Sequence, residues 1–317
     1  MHVLITGITG FIGVYLARRL TAAGHRVSGL SSDPITRLPG TRAEIFPRVD
    51  ILDAAALEGV IARCDPQVIV HLAGLSHVGE SWQRPGDYLR INFGGTRNVL
   101  RAAASRPVIL ASSSEVYGQV PEQEQPIRED RPLDPRSPYA MTKACAEQLA
   151  LDAGALVVRS FNAVGAGQAR RFALPSFAAQ LAAIEQGERE PVIKVGDLGP
   201  RRDFLHVDDV AGGYLALIER FAGGQVYNLA SGQHFSIGEA LERLRAISGV
   251  AAEVRRDESR VRPVDLPLLC GDPRRLRELG WRPERGLDDA LRDLWQEARA
   301  ATAQARRGVD GDGMAAA

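Results

Sequence analysis

Tyr139 and Lys143, in the stretch SPYAMTK, are the residues whose types and spacing point most directly to chemistry. On a helix, positions i and i+4 share one face, so the ammonium can lie near the phenol and favour its ionised form. A tyrosine activated in this way can exchange a proton while a nicotinamide moves a hydride. The pair therefore predicts an acid/base site in a chain that also binds a dinucleotide.

A glycine-rich first turn predicts that dinucleotide site. In GITGFIG, Gly7, Gly10 and Gly13 follow the apolar run His2–Thr6. Gly7 allows the tight exit from a strand, Gly10 lets backbone amides approach a pyrophosphate, and Gly13 lets the following helix pack closely on the sheet. The helix beginning near Phe11 would point its positive end at the phosphates.

The residues after the second predicted strand bear on which dinucleotide binds. An acid in this place would receive the ribose hydroxyls of NAD. Here VSGLSSD places Ser31 and Ser32 first, and both could bond to a 2′-phosphate that Arg37 could neutralise. NADP(H) is therefore favoured, and NAD(H) is the alternative if the strand ends later and Asp33 takes the ribose. Asp50 could bind the adenine amine or be an ordinary loop acid.

Apolar runs alternate with longer helical patterns along the first half of the chain. The runs lie at His2–Thr6, Arg26–Leu30, Val68–His71, 108–111 and 156–159. This rhythm indicates βαβ units, and runs without polar alternation are typical of strands covered by helices on both faces. The sequence therefore predicts an α/β fold with a Rossmann-like, doubly wound parallel sheet.

Beyond Arg159, glycine-containing loops separate shorter helices predicted at 174–185 and Ile237–Ser248, which indicates a second, smaller α/β lobe. The late apolar run Val226–Leu229 could return to the first sheet. The domains expected are an NAD(P)-binding domain over 1–162 with a returning segment near 204–230, a substrate domain over 163–203 and 231–305, and a disordered tail over 306–317.

The charge balance and the cysteine content of the chain limit the binding partners and the compartment that we expect. The 39 basic residues balance 39 acidic ones, which argues against nucleic acid and against an anionic membrane surface as partners. Cys64, Cys145 and Cys270 are too few and too scattered for a zinc site or a disulfide framework, so we expect no metal and a reducing compartment. The chain opens on a strand and has no run of about 18 apolar residues, so we expect a cytoplasmic protein.

Taken together, the motifs resemble the extended short-chain dehydrogenases/reductases that act on nucleotide sugars. Membership of that family implies a Rossmann-like domain, a smaller substrate domain, a nucleotide-sugar substrate and often a homodimer. The motifs that carry the resemblance are GITGFIG, HLAG from His71, INFGGTRNVL from Ile91, SSSEVYG from Ser112, SPYAMTK from Ser137, RSFNAVGAGQ from Arg159, RRDFLHVDDV from Arg201 and RPVD from Arg262.

The resemblance implies that Tyr139 is the catalytic acid/base and that Lys143 binds the nicotinamide ribose and lowers the tyrosine pKa. It implies that Ser113 hydrogen-bonds the reacting oxygen of the sugar. The residues that it places at the cofactor are Gly7, Gly10, Phe11, Ile12, Gly13, Ser31, Ser32, Asp50, Ile51, Leu72, Ala73, Gly74, Asn92, Tyr139 and Lys143. Asn92 could instead support the geometry of the active-site helix.

Three adjacent serines compete for the catalytic hydroxyl. Aligned on the VYG that follows, Ser113 takes that place, but Ser112 or Ser114 could replace it if the loop is displaced. In the same motif, Glu115 matches the base that removes the C5 proton in sugar-nucleotide 4,6-dehydratases. It could equally be a structural or sugar-binding carboxylate in a reductase.

On the substrate side, the resemblance implies that Arg202 and Arg262 bind the diphosphate, since a planar guanidinium suits paired phosphate oxygens. For Arg171, Arg201 and Arg260, a surface position is the simpler interpretation. The residues implied to bind substrate are Ser76, Ser113, Ser114, Asn162, Lys194, Arg202 and Arg262.

Within the family, several stretches most resemble GDP-4-dehydro-6-deoxy-D-mannose reductases, among them GESWQRP, PVIKVGDLGPRRDF and CGDPRRLRELGWRP. This implies reduction of the C4 keto group of a GDP-linked 4-keto-6-deoxy sugar to GDP-D-rhamnose, with Tyr139 as proton donor. The alternatives are a GDP-mannose-type 4,6-dehydratase or a 4-epimerase, which recycle their cofactor, and more remotely a non-catalytic sugar-nucleotide-binding protein. Phe11 and Ile12 stand where GDP-mannose 4,6-dehydratases usually carry Gln-Asp, which disfavours the dehydratase.

Overall fold

Residues 1–261 and 265–313 are described by the computed structural model, with side chains as far as residue 304. Arg262 lies outside the described residues, so its role at the diphosphate stays a prediction. The strands are β1 (His2–Thr6), β2 (Arg26–Leu30), β3 (Glu44–Phe46), β4 (Val68–His71), β5 (Val108–Ser113), β6 (Leu156–Ser160), β7 (Asn162–Val164), β8 (Val192–Val195), β9 (Arg201–Arg202), β10 (Phe204–His206), β11 (Val226–Leu229), β12 (Phe235–Ser236), β13 (Glu253–Arg256) and β14 (Leu268–Leu269).

Helices connect these strands. They are α1 (Phe11–Ala22), α2 (Ala54–Cys64), α3 (Val78–Ser81), α4 (Pro85–Tyr88), α5 (Thr96–Ala103), α6 (Pro138–Asp152), α7 (Ala173–Glu185), α8 (Val207–Glu219), α9 (Ile237–Ser248), α10 (Arg274–Glu278) and α11 (Leu287–Gly313). A π-helical turn, Leu89–Gly95, joins α4 to α5, and 3₁₀ turns occupy Ser114–Tyr117, Glu122–Glu124 and Glu258–Arg260.

Seven strands form one parallel sheet in the order β11, β6, β5, β4, β1, β2, β3. The chain winds outward from β1 toward β3 and, after crossing over, from β4 toward β11. The predicted doubly wound sheet is therefore confirmed, and β11 returns to it as expected. In such sheets, ligands bind outside the carboxyl ends of the strands at the point where the order reverses, which here lies between β1 and β4.

The two faces of the sheet explain why its strands are apolar throughout. In β1, Val3 and Ile5 pack into the core shared with α1 and α8, whereas Leu4 packs into the core shared with α2, α5 and α6. Because side chains of a strand alternate between faces, covering both faces removes the polar half of the pattern.

A second core lies around α7, α9 and α11, with Leu181, Leu241 and Leu291 among its fully buried members. Leu276 and Trp281 pack instead into the core of the large sheet, although they lie within the range 231–305 that was expected to belong to the substrate domain. The lobes therefore exchange segments more than once along the chain.

The last helix, α11, continues to Gly313. This helix includes part of the segment 306–317 that the sequence predicts to be a disordered tail, which stays a prediction, and residues 314–317 lie outside the described part. Among the described helices, none is long and apolar enough to cross a bilayer.

Candidate active site

The glycine turn is built as its sequence predicts. Gly7 has φ +71°, and a Cβ added there would lie 2.9 Å from the Cα of Ala73. At Gly13, an added Cβ would lie only 2.4 Å from the carbonyl oxygen of Gly7, so helix and turn touch backbone to backbone. Gly10 caps α1 without a side-chain hydrogen bond, which leaves the first amides of the helix for an anion. The turn therefore fits the pyrophosphate of a dinucleotide.

Replacing Gly13 with alanine is expected to raise the Kd for NADPH at least about tenfold and to lower the free energy of unfolding by about 1–3 kcal/mol, because backbone must move to admit the methyl group. Titration of NADPH fluorescence and urea denaturation measure the two effects. Gly59→Ala is the matched control, since its added Cβ meets nothing within 4 Å inside α2. Equal NADPH affinity of the two variants would contradict the close fit.

Ser31 is buried directly after β2, which ends at Leu30. Its hydroxyl lies 2.9 Å from Thr9 Oγ1 in the glycine turn, and it accepts the amide of Asp33 at 3.0 Å. Thr9 also donates to Asp33 Oδ2 at 3.1 Å, so a carboxylate stands at the rim of this site. Ser32 and Arg37 are exposed beside it. The structure thus brings together both groups that the sequence left in competition, the serines and Asp33.

Asp50 and Ile51, which the sequence places at the cofactor, lie in a short loop after β3. Asp50 is exposed, and its Oδ1 accepts the amide of Leu52 at 2.9 Å. Ile51 is buried, and its carbonyl accepts a hydrogen bond from Asn98 at 3.2 Å. Asn98 therefore positions this loop, a role that sequence reasoning did not assign.

The HLAG stretch lies against the glycine turn at the end of β4. The amides of Leu72 and Ala73 donate to the carbonyl and hydroxyl oxygens of Thr6, each at 3.2 Å. A Cβ added at Gly74 would lie 2.9 Å from Asn92 Oδ1 and 3.8 Å from Lys143 Nζ. The predicted cofactor residues of β1, β4 and α6 therefore meet at one place.

Asn92 ties three elements together from inside the π-helical turn. Its side chain accepts the amide of Leu75 at 2.8 Å and donates to the Leu75 carbonyl at 3.0 Å and to Thr142 Oγ1 at 3.1 Å. With its side chain engaged in this way, Asn92 fixes the loop after β4 to α6. This geometry favours the supporting role over direct contact with the cofactor.

Tyr139 and Lys143 occupy the first turns of α6, which Ser137 caps by accepting the amide of Ala140 at 3.1 Å. Both side chains are buried. Lys143 Nζ donates to the carbonyl of Ala111 at 2.7 Å, near the end of β5. The Tyr139 ring meets the edge of Tyr88, with centroids 6.3 Å apart. Helix, strand end and the second tyrosine thus restrict Tyr139 from three sides.

In this arrangement burial, and not the neighbouring Lys143, dominates the pKa of Tyr139, so the expected lowering of that pKa by Lys143 stays a prediction. Burial raises the pKa of Tyr139 to about 12, and a hydrogen bond with Ser113 only partly opposes that rise. Burial also lowers the pKa of Lys143 to about 8. Removal of both groups from water outweighs their mutual effect, since the ammonium is directed at Ala111. A phenol with a pKa of about 12 keeps its proton near neutral pH.

The three adjacent serines have different hydrogen-bond partners. Ser113 is the serine that hydrogen-bonds with Tyr139, and its hydroxyl also accepts the amide of Glu115 at 3.2 Å. Ser112 donates to Glu147 at 2.8 Å and is thus engaged elsewhere. Ser114 is buried and begins the 3₁₀ turn that carries Glu115. The geometry therefore favours Ser113 for the catalytic hydroxyl, and Glu115 remains partly exposed close enough to raise the pKa of Tyr139.

A cleft of about 890 Å³ lies between the loop after β4 and the second core, and Ser113, Tyr139 and Lys143 are not among its described lining residues. Asn162 and Arg202 line it, whereas Ser76 and Lys194 are exposed and are not among its described lining residues. His77 connects the cleft with the cluster around Tyr139. It lines the cleft, and its carbonyl accepts a hydrogen bond at 2.7 Å from the phenol of Tyr88, which packs against Tyr139.

Arg202 is held rigidly at the wall of the cleft. It forms an ion pair with Asp265, and its Nη1 donates to the carbonyls of Arg201 at 2.9 Å and Leu266 at 2.7 Å. Such fixation pre-organises a guanidinium for a ligand, although Asp265 already satisfies part of its charge.

Two further arginines line the cleft, and sequence reasoning treated both as surface residues. Arg171 and Arg260 lie on it, and Arg260 Nη1 donates to Ser176 at 3.3 Å. Arg171 directly precedes the N-cap of α7, whose first turn contains no acidic residue. A cation at a helix N-terminus opposes the helix dipole unless an anion lies there, and this was the available sequence signal.

A Rossmann-like sheet, a glycine turn fitted to a pyrophosphate, and a Ser113, Tyr139 and Lys143 cluster at the strand ends together define an extended short-chain dehydrogenase/reductase. The family model for GDP-mannose 4,6-dehydratase matches residues 4–294. The chain therefore belongs to this family of NAD(P)-dependent nucleotide-sugar enzymes.

Individual members of this family can be compared with the chain directly. The chain is 36% identical to GDP-6-deoxy-D-mannose reductase of Pseudomonas aeruginosa, over 92% of this chain and 95% of the relative. It is 30% identical to UDP-glucose 4-epimerase of Bacillus subtilis, over 93% and 96%. Among solved structures, RMD from P. aeruginosa complexed with NADPH matches with TM-score 0.82 and 34% identity, covering 95% of this chain and 99% of that one. UDP-glucose 4-epimerase of Thermus thermophilus in complex with NAD matches with TM-score 0.85 and 28% identity, covering 95% and 100%.

Proposed function

We propose that this enzyme reduces the C4 keto group of a GDP-linked 4-keto-6-deoxy-hexose, converting GDP-4-dehydro-6-deoxy-D-mannose to GDP-D-rhamnose. The observation that carries the proposal is the buried phenol of Tyr139, which is hydrogen-bonded with Ser113 and packs against Tyr88, whose own phenol donates to the cleft residue His77. A carbonyl reduction needs such a proton donor. The likeness to GDP-6-deoxy-D-mannose reductase supports the same substrate class.

A bound NAD(P)H supplies the hydride. The Ser113 hydroxyl donates to the C4 carbonyl oxygen and holds it near the phenol. As the carbonyl carbon is reduced, Tyr139 gives its proton to the oxygen, which becomes the C4 hydroxyl, and Tyr139 is left as phenolate. The Lys143 ammonium then favours that phenolate and holds the nicotinamide ribose. A proton from solvent restores the phenol.

The rate of reduction is expected to fall as pH rises through about 8. The phenol of Tyr139, with a pKa of about 12, keeps its proton throughout this range, whereas Lys143, with a pKa of about 8, loses its charge. The proposed step needs the charged ammonium, so kcat should be constant below that pH and decline above it. A pH profile of kcat under saturating substrate measures this, and a constant kcat across the range would contradict the role of the Lys143 charge.

The diphosphate is proposed to bind between Arg202, Arg171, Arg260 and the N-terminus of α7, with Arg262 as a further ligand. Three described guanidiniums line the cleft, and Asp265 and Asp257 offset part of the charge of Arg202 and Arg260. Asn162 is proposed to contact the sugar. Ser76, Ser114 and Lys194 stay proposed substrate residues, although Ser76 and Lys194 would need a substrate that reaches beyond the described lining.

For the cofactor, we propose NADPH, with NADH as the alternative. Ser31 and the exposed Ser32 and Arg37 suit a 2′-phosphate, and RMD from P. aeruginosa is described in complex with NADPH. Asp33 at the same rim suits an unphosphorylated ribose, and the epimerase of T. thermophilus is described in complex with NAD. The ratio of kcat/KM for the two cofactors decides between them.

The second candidate is a dehydratase or 4-epimerase that recycles its cofactor. Glu115, beside Tyr139, favours it, because a dehydratase needs a base for the C5 proton. A non-catalytic binding protein is the remote alternative, and the complete Ser113, Tyr139 and Lys143 cluster argues against it.

The deciding experiment mixes the enzyme with NADPH or NADH and enzymatically made GDP-4-keto-6-deoxy-mannose, and follows the absorbance of the reduced nicotinamide. Stoichiometric loss together with a GDP-6-deoxyhexose product supports the reductase. No loss contradicts it and directs attention to GDP-mannose as a substrate for internal redox chemistry, with Glu115 as the residue to replace.

We further propose a cytoplasmic homodimer with the two-lobed division expected from the sequence. Leu89 in the π-helical turn is 52% exposed and Met141 in α6 is 54% exposed, and these two elements pack against one another. Exposed large apolar side chains on two elements that pack together suit an interface with a second copy. Light scattering of the purified protein tests the dimer, and a monomeric mass at micromolar concentration would contradict it.

A further inference from the structure

Beneath the catalytic cluster lies an ion pair that the reaction itself does not use. Glu147 is 1% exposed and Arg159 is 5% exposed. Arg159 Nε donates to both carboxylate oxygens, at 3.0 and 3.2 Å, and Nη2 makes a further close contact with Oε1. Removing two charges from water is costly, and an apolar pair of similar volume is often at least as stable. Stability alone therefore does not account for this pair.

Glu147, the acidic member of the pair, contacts the end of β5, which carries Ser113. Tyr139, Lys143 and Glu147 follow one another at intervals of four residues, so they share one face of α6. Glu147 Oε2 accepts the hydroxyl of Ser112 at 2.8 Å, and Lys143 Nζ donates to Ala111 at 2.7 Å. Helix and strand are thus fastened at two adjacent residues immediately before Ser113.

Arg159, the basic member of the pair, contacts the 3₁₀ turn that carries Glu115. Arg159 Nη1 donates to the phenol of Tyr117 at 3.0 Å and to the carbonyl of Glu129 at 2.9 Å. The guanidinium also lies 4.8 Å from the centroid of the Tyr117 ring, and Tyr117 in turn donates to Asn228 at 2.7 Å. Arg159, from β6, therefore holds the last residue of the 3₁₀ turn that begins at Ser114.

We propose that the Glu147–Arg159 ion pair is a positioning device for the reaction, which acts through Ser112 to hold the Ser113 hydroxyl against the phenol of Tyr139. The proposal rests on the proposed acid/base function of Tyr139. Neither Glu147 nor Ser112 touches the reacting atoms. Their effect is on geometry, and a displacement of about 1 Å at a reacting group can change a rate by about a hundredfold.

Ser112→Ala tests the link while leaving the ion pair in place. We expect kcat to fall about tenfold to a hundredfold, with KM for the sugar changed by less than about threefold, because the proposed sugar-nucleotide ligands Asn162 and Arg202 are untouched. Ser112→Thr, which keeps the hydroxyl, should restore most of kcat. Ser28→Ala is the matched control, since Ser28 is also buried in the sheet and lies 2.9 Å from a side-chain nitrogen, that of His2. An unchanged kcat in Ser112→Ala would overturn the proposal.

A second measurement needs no substrate, so it separates failure of this proposal from failure of the proposed function. The chain contains only two lysines, Lys143 and Lys194, so a protein labelled with ¹⁵N-lysine gives two side-chain signals by NMR. Burial holds the pKa of Lys143 at about 8. If Ser112→Ala loosens the strand end, water reaches Lys143 and its pKa rises toward the ordinary 10.5, while the Lys194 signal stays unchanged.

The two measurements have distinct outcomes. A wild-type enzyme that oxidises no NADPH would remove the reductase assignment, yet a shifted Lys143 signal in Ser112→Ala would still support the positioning device. A Lys143 signal identical in wild type, Ser112→Ala and Ser28→Ala would overturn the device whatever the reaction is.

Discussion

Tyr139→Phe is expected to lower kcat by about a thousandfold while leaving the Kd for NADPH within about twofold of wild type, because the variant lacks the proton that the C4 oxygen needs. Phenylalanine keeps the ring that packs edge-on against Tyr88, so the site should keep its shape. Single-turnover kinetics with saturating NADPH and keto sugar measure the effect, and fluorescence titration measures cofactor binding.

The control for this variant is Tyr227→Phe. Tyr227 in β11 is 7% exposed, the same fraction as Tyr139, but it lies in the core of the large sheet and touches Arg275 rather than the cleft. It should keep the full rate. If Tyr139→Phe retained a kcat comparable to that of Tyr227→Phe, the phenol would not be the proton donor and the proposed mechanism would be wrong.

Glu147→Gln is expected to lower the free energy of unfolding by about 3–5 kcal/mol, since it leaves the guanidinium of Arg159 buried without its counter-charge. Urea denaturation followed by circular dichroism measures the loss. The matched control is Glu253→Gln, which breaks the largely exposed pair with Arg255 and should change stability by no more than about 0.5 kcal/mol.

The double variant Glu147→Leu with Arg159→Met distinguishes stability from positioning. Replacing both charges with apolar side chains should recover most of the stability lost in Glu147→Gln. It removes the acceptor of the Ser112 hydroxyl, so its kcat should remain low even though the protein is stable. A double variant that regained both stability and kcat would show that the pair only holds the fold together.

Local patterns in the sequence were sufficient for much of the fold. The glycine turn, β1, β2, β4 and β11 lie where the apolar runs predict them, since unbroken apolar runs are compatible with strands buried on both faces. Spacing alone placed Tyr139 and Lys143 on one helical face, because the period of a helix depends on backbone geometry and not on the rest of the fold.

Ion pairs between residues that are far apart in the chain could not be predicted from such local patterns. Asp265 pairs with Arg202, and Arg171 joins Arg260 at one cleft although 89 residues separate them. A guanidinium has the same local sequence signal whether it faces solvent or a ligand, so only the folded chain assigns it. The tertiary structure likewise placed Ser112 on Glu147 and left Ser113 for Tyr139.

The sequence by itself determined which residues could do acid/base chemistry and which elements carry them, because residue type and helical or strand period are local properties. The tertiary structure decided the protonation state of these residues. Burial sets the pKa of Tyr139 at about 12 and that of Lys143 at about 8, against the expectation of an ionised phenol. Desolvation depends on every atom packed around a group, and those atoms come from strands and helices far apart in the chain.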